Sequence, residues 1–259
     1  MIPFPATVIG LMSGTSADGV DAAILRTDGR AIAQAGESLF VPYEAALRSD
    51  ILALMRGQGD AVAVAQSITD VHIQAVKQLI KKANVSRETL ALVGFHGQTI
   101  RHAPAEGITE QIGEPARLAA ALGIPVVADF RINDVRHGGQ GAPLVPLYHA
   151  ALAQALPKPL LVVNIGGVAN VTWIGEGVTR VESRESSEAE FAAEPRKKSP
   201  RSVDIGTSTT RLSTLDSGHS LLAFDCGPGN ALLDDWMFAH TGQRFDANGA
   251  TASRGAVDT

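Results

Sequence analysis

Five short windows of the sequence combine glycine with polar side chains that can bind a ligand. Together they hold 12 of the 26 glycines in 37 residues, and they span 10–21, 94–99, 138–143, 164–170 and 225–230. Glycine is costly inside helices and strands, but it lets backbone approach a ligand closely. Each window sits at the end of a predicted strand, where ligands collect in α/β sheets. We therefore expect the windows to contribute to one binding site.

The first window is a turn of small residues whose backbone could hold phosphate oxygens. Its central residues are Gly14, Thr15, Ser16, Ala17, Asp18, Gly19, Val20 and Asp21. The N–H groups and hydroxyls could bind phosphate, and Asp18 or Asp21 could hold a metal ion or its water. This is not a Walker A loop, because no Gly-Lys-Ser/Thr follows. An ordinary hairpin turn is the alternative interpretation.

The next two regions carry side chains suited to a sugar or to an anion. The second window contributes polar groups for sugar hydroxyls or an amide, from His96, Gly97, Gln98 and Thr99. Arg131 follows an apolar strand and would suit a substrate that bears a carboxylate. The alternatives are a structural histidine and an Asp129–Arg131 ion pair. No spacing here matches a zinc site, so we expect no catalytic transition metal.

The last two windows offer a second phosphate contact and a carboxylate. Gly166 and Gly167 form a tight turn between two predicted strands and could meet a second phosphate. Asp225 stands at a strand end and could be a general base if it reaches the attacking water. Alternatively, Asp225 or Asn230 caps the helix that follows. Cys226 is expected to be a small buried residue and not a nucleophile.

Alternating elements position these windows and predict an α/β protein with a mixed sheet. The predicted strands are Thr7–Leu11, Val20–Leu25, Ala91–Phe95, Ile124–Ala128, Leu160–Ile165, Val168–Ile174 and Leu221–Asp225. Two helical stretches follow the first hairpin, and the second has an apolar stripe at Val64, Ile68, Val71, Ala75 and Leu79. Further helices are predicted at Pro115–Leu122, Leu144–Leu156 and Ala231–His240. The charge-rich segment 178–219 lacks apolar periodicity and is predicted to be a flexible insertion, with partner binding as the alternative.

The bulk composition disfavours several classes of protein. The chain has 259 residues and a net charge of -5, so we expect no nucleic-acid binding. Its single cysteine allows no internal disulfide, which suits a reducing compartment. We recognise neither a basic signal-peptide region nor a run of 18 apolar residues, so secretion and membrane insertion are disfavoured. A cytoplasmic protein is the expectation.

Six motifs, in this combination and order, resemble the anhydro-N-acetylmuramic acid kinases. They cover 10–21, 94–102, 127–131, 138–146, 164–171 and 224–230. The resemblance implies an actin-like ATPase (ribonuclease H-like) fold, with a first lobe over 1–145 and the start of a second over 146–259. It also implies that ATP, with Mg²⁺, binds in the cleft and phosphorylates O6 of 1,6-anhydro-N-acetylmuramic acid while water opens the anhydro ring. The product would be N-acetylmuramic acid 6-phosphate, formed in peptidoglycan recycling.

The resemblance also implies roles for individual residues. The segment Gly14–Asp21 matches the ATP loop and Asp225 matches the catalytic base, while His96–Thr99 and Arg131 are assigned to the sugar. We expect the Gly14 loop and Asp225 to face each other across one crevice. A homodimer is conceivable from the family.

Three departures from the family pattern stand out. Ala17 replaces a large apolar residue, and 178–219 is longer than the hairpin connection expected there. The family continues beyond the position of Thr259, so we expect an incomplete second lobe. The alternative function is an inactive remnant, or a sugar-binding fragment without phosphoryl transfer.

Overall fold

The structure is a computed structural model that describes residues 4–166, 168–177, 210–212 and 219–256. The chain forms two compact units, one ending at Gln154 and the other beginning at Ala155. The sequence places the lobe boundary between residues 145 and 146, a few residues earlier. That the units are the two lobes of a kinase stays a prediction.

Unit 1 is built on a six-stranded mixed sheet. Its strands are β1 (Ala6–Ser13), β2 (Gly19–Thr27), β3 (Ile32–Pro42), β4 (Leu90–Ala103), β5 (Ile108–Ile112) and β6 (Val126–Val127). The order is β3-β2-β1-β4-β5, with β6 also paired to β4. Strands β1 to β3 are antiparallel neighbours, whereas β4 runs parallel to β1 and β6 runs parallel to β4. The carboxyl ends of β1 and β6 therefore point the same way along β4.

Five helices accompany this sheet. They are α1 (Ala45–Met55), α2 (Ala61–Ala83), α3 (Pro115–Leu122), α4 (Phe130–Arg136) and α5 (Val145–Leu152). The stripe predicted for α2 is confirmed, since Val64, Ile68 and Leu79 are buried in the core that includes β1 and β4. The Asp60 side chain caps α2 by accepting the N–H groups of its first turn, which a helix cannot satisfy internally.

Unit 2 has a smaller antiparallel sheet. Its strands are β7 (Leu160–Ile165), β8 (Val168–Gly177), β9 (Thr210–Leu212) and β10 (His219–Pro228), in the order β7-β8-β10-β9. Helix α6 (Ala231–Thr241) follows β10 and buries Met237. Within the predicted insertion, 210–212 form β9 and 219 begins β10. The remainder, 178–209 and 213–218, lies outside the described residues, so its predicted flexibility is untested.

The α/β class is confirmed by these elements. Within the described ranges, no helix has both the length and the apolar character needed to span a bilayer.

Candidate active site

The carboxyl end of β1 and the middle of β4 bring the first two glycine windows together, so the second window lies within a strand and not at its predicted end. The two strands are parallel, and Ser13 at the end of β1 lies in register with Gln98 of β4. Strand β6 pairs with the start of β4 and leads through Asp129 into α4, which carries Arg131. The structure thus gathers the predicted phosphate loop and the predicted sugar residues of unit 1 at one region of the sheet, as parallel strands predict.

The loop between β1 and β2 presents its tip outward. The Ala17 N–H donates to the Gly14 carbonyl at 3.2 Å, whereas the N–H groups of Thr15 and Ser16 have no backbone acceptor in the described part of the chain. Thr15 and Ser16 are exposed, and Ala17 is fully buried with a positive φ of 51°. Two adjacent amides and the Thr15 hydroxyl at an exposed turn are groups that bind phosphate oxygens.

Two carboxylates lie beside this loop. The Ser16 hydroxyl donates to Asp18 Oδ1 at 2.9 Å, and Asp21 lies on β2 in register with Met12. Partial burial and, secondly, the negative charge of Asp18 raise the pKa of Asp21. A divalent cation held by these carboxylates would relieve that repulsion, and Mg²⁺ is commonly held by one or two carboxylates plus phosphate. The residues present therefore fit a magnesium–nucleotide complex.

Both ends of the loop are anchored by buried groups. Gln98 Nε2 donates to the Gly14 carbonyl at 3.0 Å, and the Tyr43 N–H donates to the Asp18 carbonyl at 2.9 Å. Gln98 is 0% exposed and Tyr43 is 4% exposed. His96, Gly97 and Thr99 are also buried, so all four residues that the sequence assigns to the sugar in this window lie below the surface. Direct contact between this window and a sugar stays a prediction.

His96 holds Arg131. The Nδ1 of His96 lies 2.7 Å from the Gly97 carbonyl, and Arg131 Nε donates to His96 Nε2 at 2.9 Å. Since Nε2 accepts, the ring is neutral with its proton on Nδ1. Burial, and then the Arg131 charge, lower the pKa of His96 and so keep the ring in that state. The imidazole is satisfied on both sides, as the structural-histidine alternative proposes.

Arg131 does not form the ion pair considered as its alternative role. Its side chain is bound to His96, and Asp129 instead occupies the position before α4 with a positive φ of 61°. Burial lowers the pKa of Arg131. The pKa of His102 is lowered first by the burial of its ring and secondly by the positive charge of Arg131. A partly buried guanidinium with no carboxylate bound to it, within the described residues, is suited to an anionic ligand group.

The glycines of the third window support α4. The Gly141 N–H donates to Asp134 Oδ2 at 2.6 Å, and a side chain at Gly139 would collide with the same carboxylate. Asp134 lies one turn after Arg131 on the helix. The window therefore fixes the helix that presents Arg131, and its glycines serve backbone packing.

Unit 2 contains the remaining predicted residues. Asp225 is exposed on β10 in register with Asn170 of β8, which pairs in turn with Asn164 of β7. The Asn230 N–H donates to the Gly166 carbonyl at 2.7 Å, which joins the fourth and fifth windows. Gly167 lies outside the described residues.

The capping alternative for Asp225 or Asn230 finds no support, because Asn230 stands directly before α6 and makes no side-chain cap hydrogen bond. The prediction for Cys226 was wrong in part, since its side chain is exposed and contacts the Ala169 carbonyl at 3.2 Å. The Gly14 loop and Asp225 belong to different units, so their common crevice stays a prediction.

Sequence reasoning missed two residues at the loop. Tyr43 follows β3, and Arg48 on α1 donates from Nη2 to the Ser16 carbonyl at 3.4 Å. Neither stands in a glycine window, and both reach the loop only through the chain's fold. Their proximity had no local signal in the sequence.

Comparison with known proteins decides the family. The family model described as anhydro-N-acetylmuramic acid kinase matches residues 6–181 and 187–259. The chain belongs to this family. The actin-like ATPase fold implied by the resemblance stays a prediction.

Curated anhydro-N-acetylmuramic acid kinases are similar over nearly the whole chain. The protein of Paramagnetospirillum magneticum is 45% identical over 96% of this chain and 59% of its own length. The protein of Rhodospirillum rubrum is 44% identical over 96% of this chain and 56% of its own length. The chain thus spans less than two thirds of the length of these relatives.

Among solved structures, YeaZ from Pseudomonas aeruginosa is similar at 18% identity and a TM-score of 0.27, over 65% of this chain and 58% of that one. A score this low supports no inference about function.

Proposed function

We propose that the protein is an ATP-dependent kinase that opens 1,6-anhydro-N-acetylmuramic acid with water and phosphorylates O6. The observation that carries the proposal is the exposed loop at Gly14–Asp18, held beside His96 and Arg131 in a chain of this family. A phosphate loop and an anion-binding arginine at one sheet region are what a kinase for an acidic sugar requires.

On the nucleotide side, this chain supplies hydrogen-bond donors and two carboxylates. The N–H groups of Thr15 and Ser16 would bind phosphate oxygens, and the Gly166 turn of unit 2 is proposed as a further phosphate contact. Asp18 and Asp21 would hold Mg²⁺ directly or through its water, and the ion would neutralise charge on the phosphates. ATP is the phosphoryl donor and leaves as ADP.

On the sugar side, Asp225 is proposed as the general base. Its carboxylate takes a proton from water, and the water oxygen forms a bond to the anomeric carbon C1. The bond from C1 to O6 breaks, and O6 keeps that electron pair and attacks the γ-phosphorus of ATP. The bond from that phosphorus to the β,γ-bridging oxygen breaks, and its electron pair leaves with ADP. The exposed position of Asp225 on β10 leaves its carboxylate accessible to such a water.

Arg131 is proposed to bind the carboxylate that muramic acid carries. His96 accepts from Nε of Arg131 and thereby orients the guanidinium, whose terminal nitrogens can form the paired hydrogen bonds that carboxylates favour. Because His96 is neutral, it adds no second positive charge. His96 is therefore proposed to form the sugar side together with Arg131.

The proposal is tested by measuring ADP release and sugar phosphate in the full-length protein. Replacing Asp225 with Asn should lower kcat by about 10²- to 10⁴-fold, the range for loss of a general base. Asp235→Asn on α6 is the matched control, since Asp235 is also exposed in unit 2. Equal turnover by wild type and Asp225→Asn would remove Asp225 from this role. Binding of both ligands without turnover would support the non-catalytic alternative.

A cytoplasmic location is part of the proposal, because ATP is the donor and the single cysteine is an exposed thiol. The homodimer and the absence of nucleic-acid binding stay predictions.

A further inference from the structure

A buried series of hydrogen bonds connects Tyr43 to the Gly14 loop. Ser13 Oγ lies 2.9 Å from Tyr43 Oη and donates to Gln98 Oε1. Gln98 Nε2 donates to the carbonyls of Gly14 and Thr99, at 3.0 Å and 3.3 Å. Ser13 and Gln98 are 0% exposed, so this series is closed to solvent.

The direction of each hydrogen bond follows from the available hydrogens. The amide nitrogen of Gln98 faces two carbonyl oxygens, so its Oε1 must be the acceptor for Ser13. A hydroxyl has one hydrogen, which Ser13 gives to Gln98, and therefore Tyr43 donates to Ser13 Oγ. Burial raises the pKa of Tyr43 to about 12, so that proton is retained across the physiological range.

Both amide hydrogens of Gln98 are therefore engaged inside the protein. With its side chain fully buried, Gln98 has no donor left for a sugar hydroxyl. A buried network in which each hydrogen has an acceptor fixes the groups that it joins, and removal of one member leaves the others unsatisfied.

We infer that Gln98 is a positioning residue for the phosphate loop and not a ligand of the sugar, and that Tyr43 completes this support. The inference rests on the proposed function, since it takes the loop at Gly14–Asp18 to be the nucleotide side. Tyr43 acts at both ends of the loop. Its hydroxyl reaches Gly14 through Ser13 and Gln98, and its N–H holds the Asp18 carbonyl.

This support orders the exposed tip of the loop before ligand binds. Free amides at Thr15 and Ser16 can bind phosphate without a reorganisation cost only if Gly14 and Asp18 are fixed. Loss of one neutral hydrogen bond changes an equilibrium by about three- to tenfold. We expect a change of this size in nucleotide affinity and none in sugar affinity.

The test compares Gln98→Ala and Tyr43→Phe with wild type in the full-length protein. Tyr148→Phe is the matched control, because Tyr148 is the other tyrosine and is 42% exposed on α5. Calorimetry measures the dissociation constants of a non-hydrolysable ATP analogue with Mg²⁺ and, separately, of the anhydro sugar. Amide hydrogen exchange of residues 14–18 is measured without ligand, and global stability is measured alongside.

In both variants we expect the nucleotide dissociation constant to rise about three- to tenfold and the loop amides to exchange faster. Sugar affinity should stay within about twofold, and Tyr148→Phe should match wild type in every measurement. A general loss of structure would weaken both ligands, and Tyr43→Phe guards against it because only a hydroxyl is removed.

Two results would overturn the inference. One is loss of sugar affinity in Gln98→Ala with nucleotide affinity intact, which would make Gln98 a sugar ligand. The other is unchanged loop exchange in Tyr43→Phe. If wild type binds neither ligand, the proposed function fails, while hydrogen exchange at the loop still decides whether Tyr43 and Gln98 support it.

Discussion

A buried neutral histidine in unit 1 makes a strong prediction about stability at acid pH. His72 on α2 is 0% exposed and packs edge-on against Phe95, with ring centroids 4.9 Å apart. Its Nδ1 lies 2.7 Å from the Ile68 carbonyl, and its buried Nε2 has no hydrogen-bond partner among the residues that the structure describes. Burial is the main cause that lowers the pKa of His72 to about 4. Replacement with Leu removes the titrating group.

The size of the stability loss follows from the difference between the pKa of His72 in the folded and in the unfolded protein. Above pH 6.5, the usual histidine pKa, the ring is neutral in both states and costs no proton uptake. As pH falls through that value, the unfolded chain binds a proton that the folded protein rejects until pH is about 4, so stability is lost on acidification. At about 1.4 kcal/mol for each pH unit, His72 removes about 2 kcal/mol by pH 5 and about 3 kcal/mol by pH 4.

Amide hydrogen exchange of α2 should measure this loss. Tryptophan fluorescence is unsuitable, because both tryptophans, Trp173 and Trp236, lie in unit 2 and His72 lies in unit 1. Stability of wild type and His72→Leu is compared from pH 7.5 to pH 4, with the exposed His137→Gln as control. The other histidines are the same in both proteins, so their contributions to stability cancel when His72→Leu is compared with wild type. Parallel pH profiles for wild type and His72→Leu would show that His72 does not cause the loss of stability, whereas His137→Gln should follow wild type.

Three further predictions concern the loop region and its support. Gly97→Ala should destabilise unit 1 by about 3 kcal/mol in urea unfolding, because φ is 70° and the new Cβ would lie 2.7 Å from a β5 carbonyl. Gly107→Ala is the control, since Gly107 has a φ of 71° but open space around it, and it should cost about 1 kcal/mol. Equal costs would contradict this account. Asp60→Ala should cost about 1 kcal/mol in the same assay, and Asp60→Asn should be nearly neutral because it still caps α2; an equal loss in both would argue against capping. Arg131→Met should raise the pKa of His96 in an NMR titration, since the positive charge lowers it; an unchanged titration would contradict the contact.

Elements with a strong local pattern were predictable from the sequence. The α2 stripe, the Pro115–Leu122 helix and strand β7 were predicted and are present. Apolar periodicity and the capping signals of proline and glycine are local, so they can be read without knowledge of the fold.

The sequence did not predict β3, β5 or α4. Most of β3 is exposed and it lies at the sheet edge, so its pattern lacks an apolar face. Helix α4 has only seven residues and starts directly after Asp129 in the left-handed conformation. Short elements of this kind are fixed by their tertiary neighbours, here the Asp134 contact with the following glycine loop.

The glycine windows of the candidate site were predictable from the sequence, but the roles of individual residues within them were not. Gly14 and Gln98 are 84 residues apart, and only the parallel pairing of β1 and β4 shows that they touch. Polarity and the family resemblance assigned Gln98 to the sugar, because its burial cannot be read from a glycine-rich motif. Tyr43 follows an edge strand and had no signal at all.

Mass spectrometry of the sugar product shows whether phosphoryl transfer and ring opening occur together. The full-length protein is incubated with ATP, Mg²⁺ and 1,6-anhydro-N-acetylmuramic acid. The account predicts a product that has gained both a phosphoryl group and one water, in equal amount to the ADP formed. A phosphorylated sugar that still lacks the water, or ADP formed with no sugar phosphate, would contradict it.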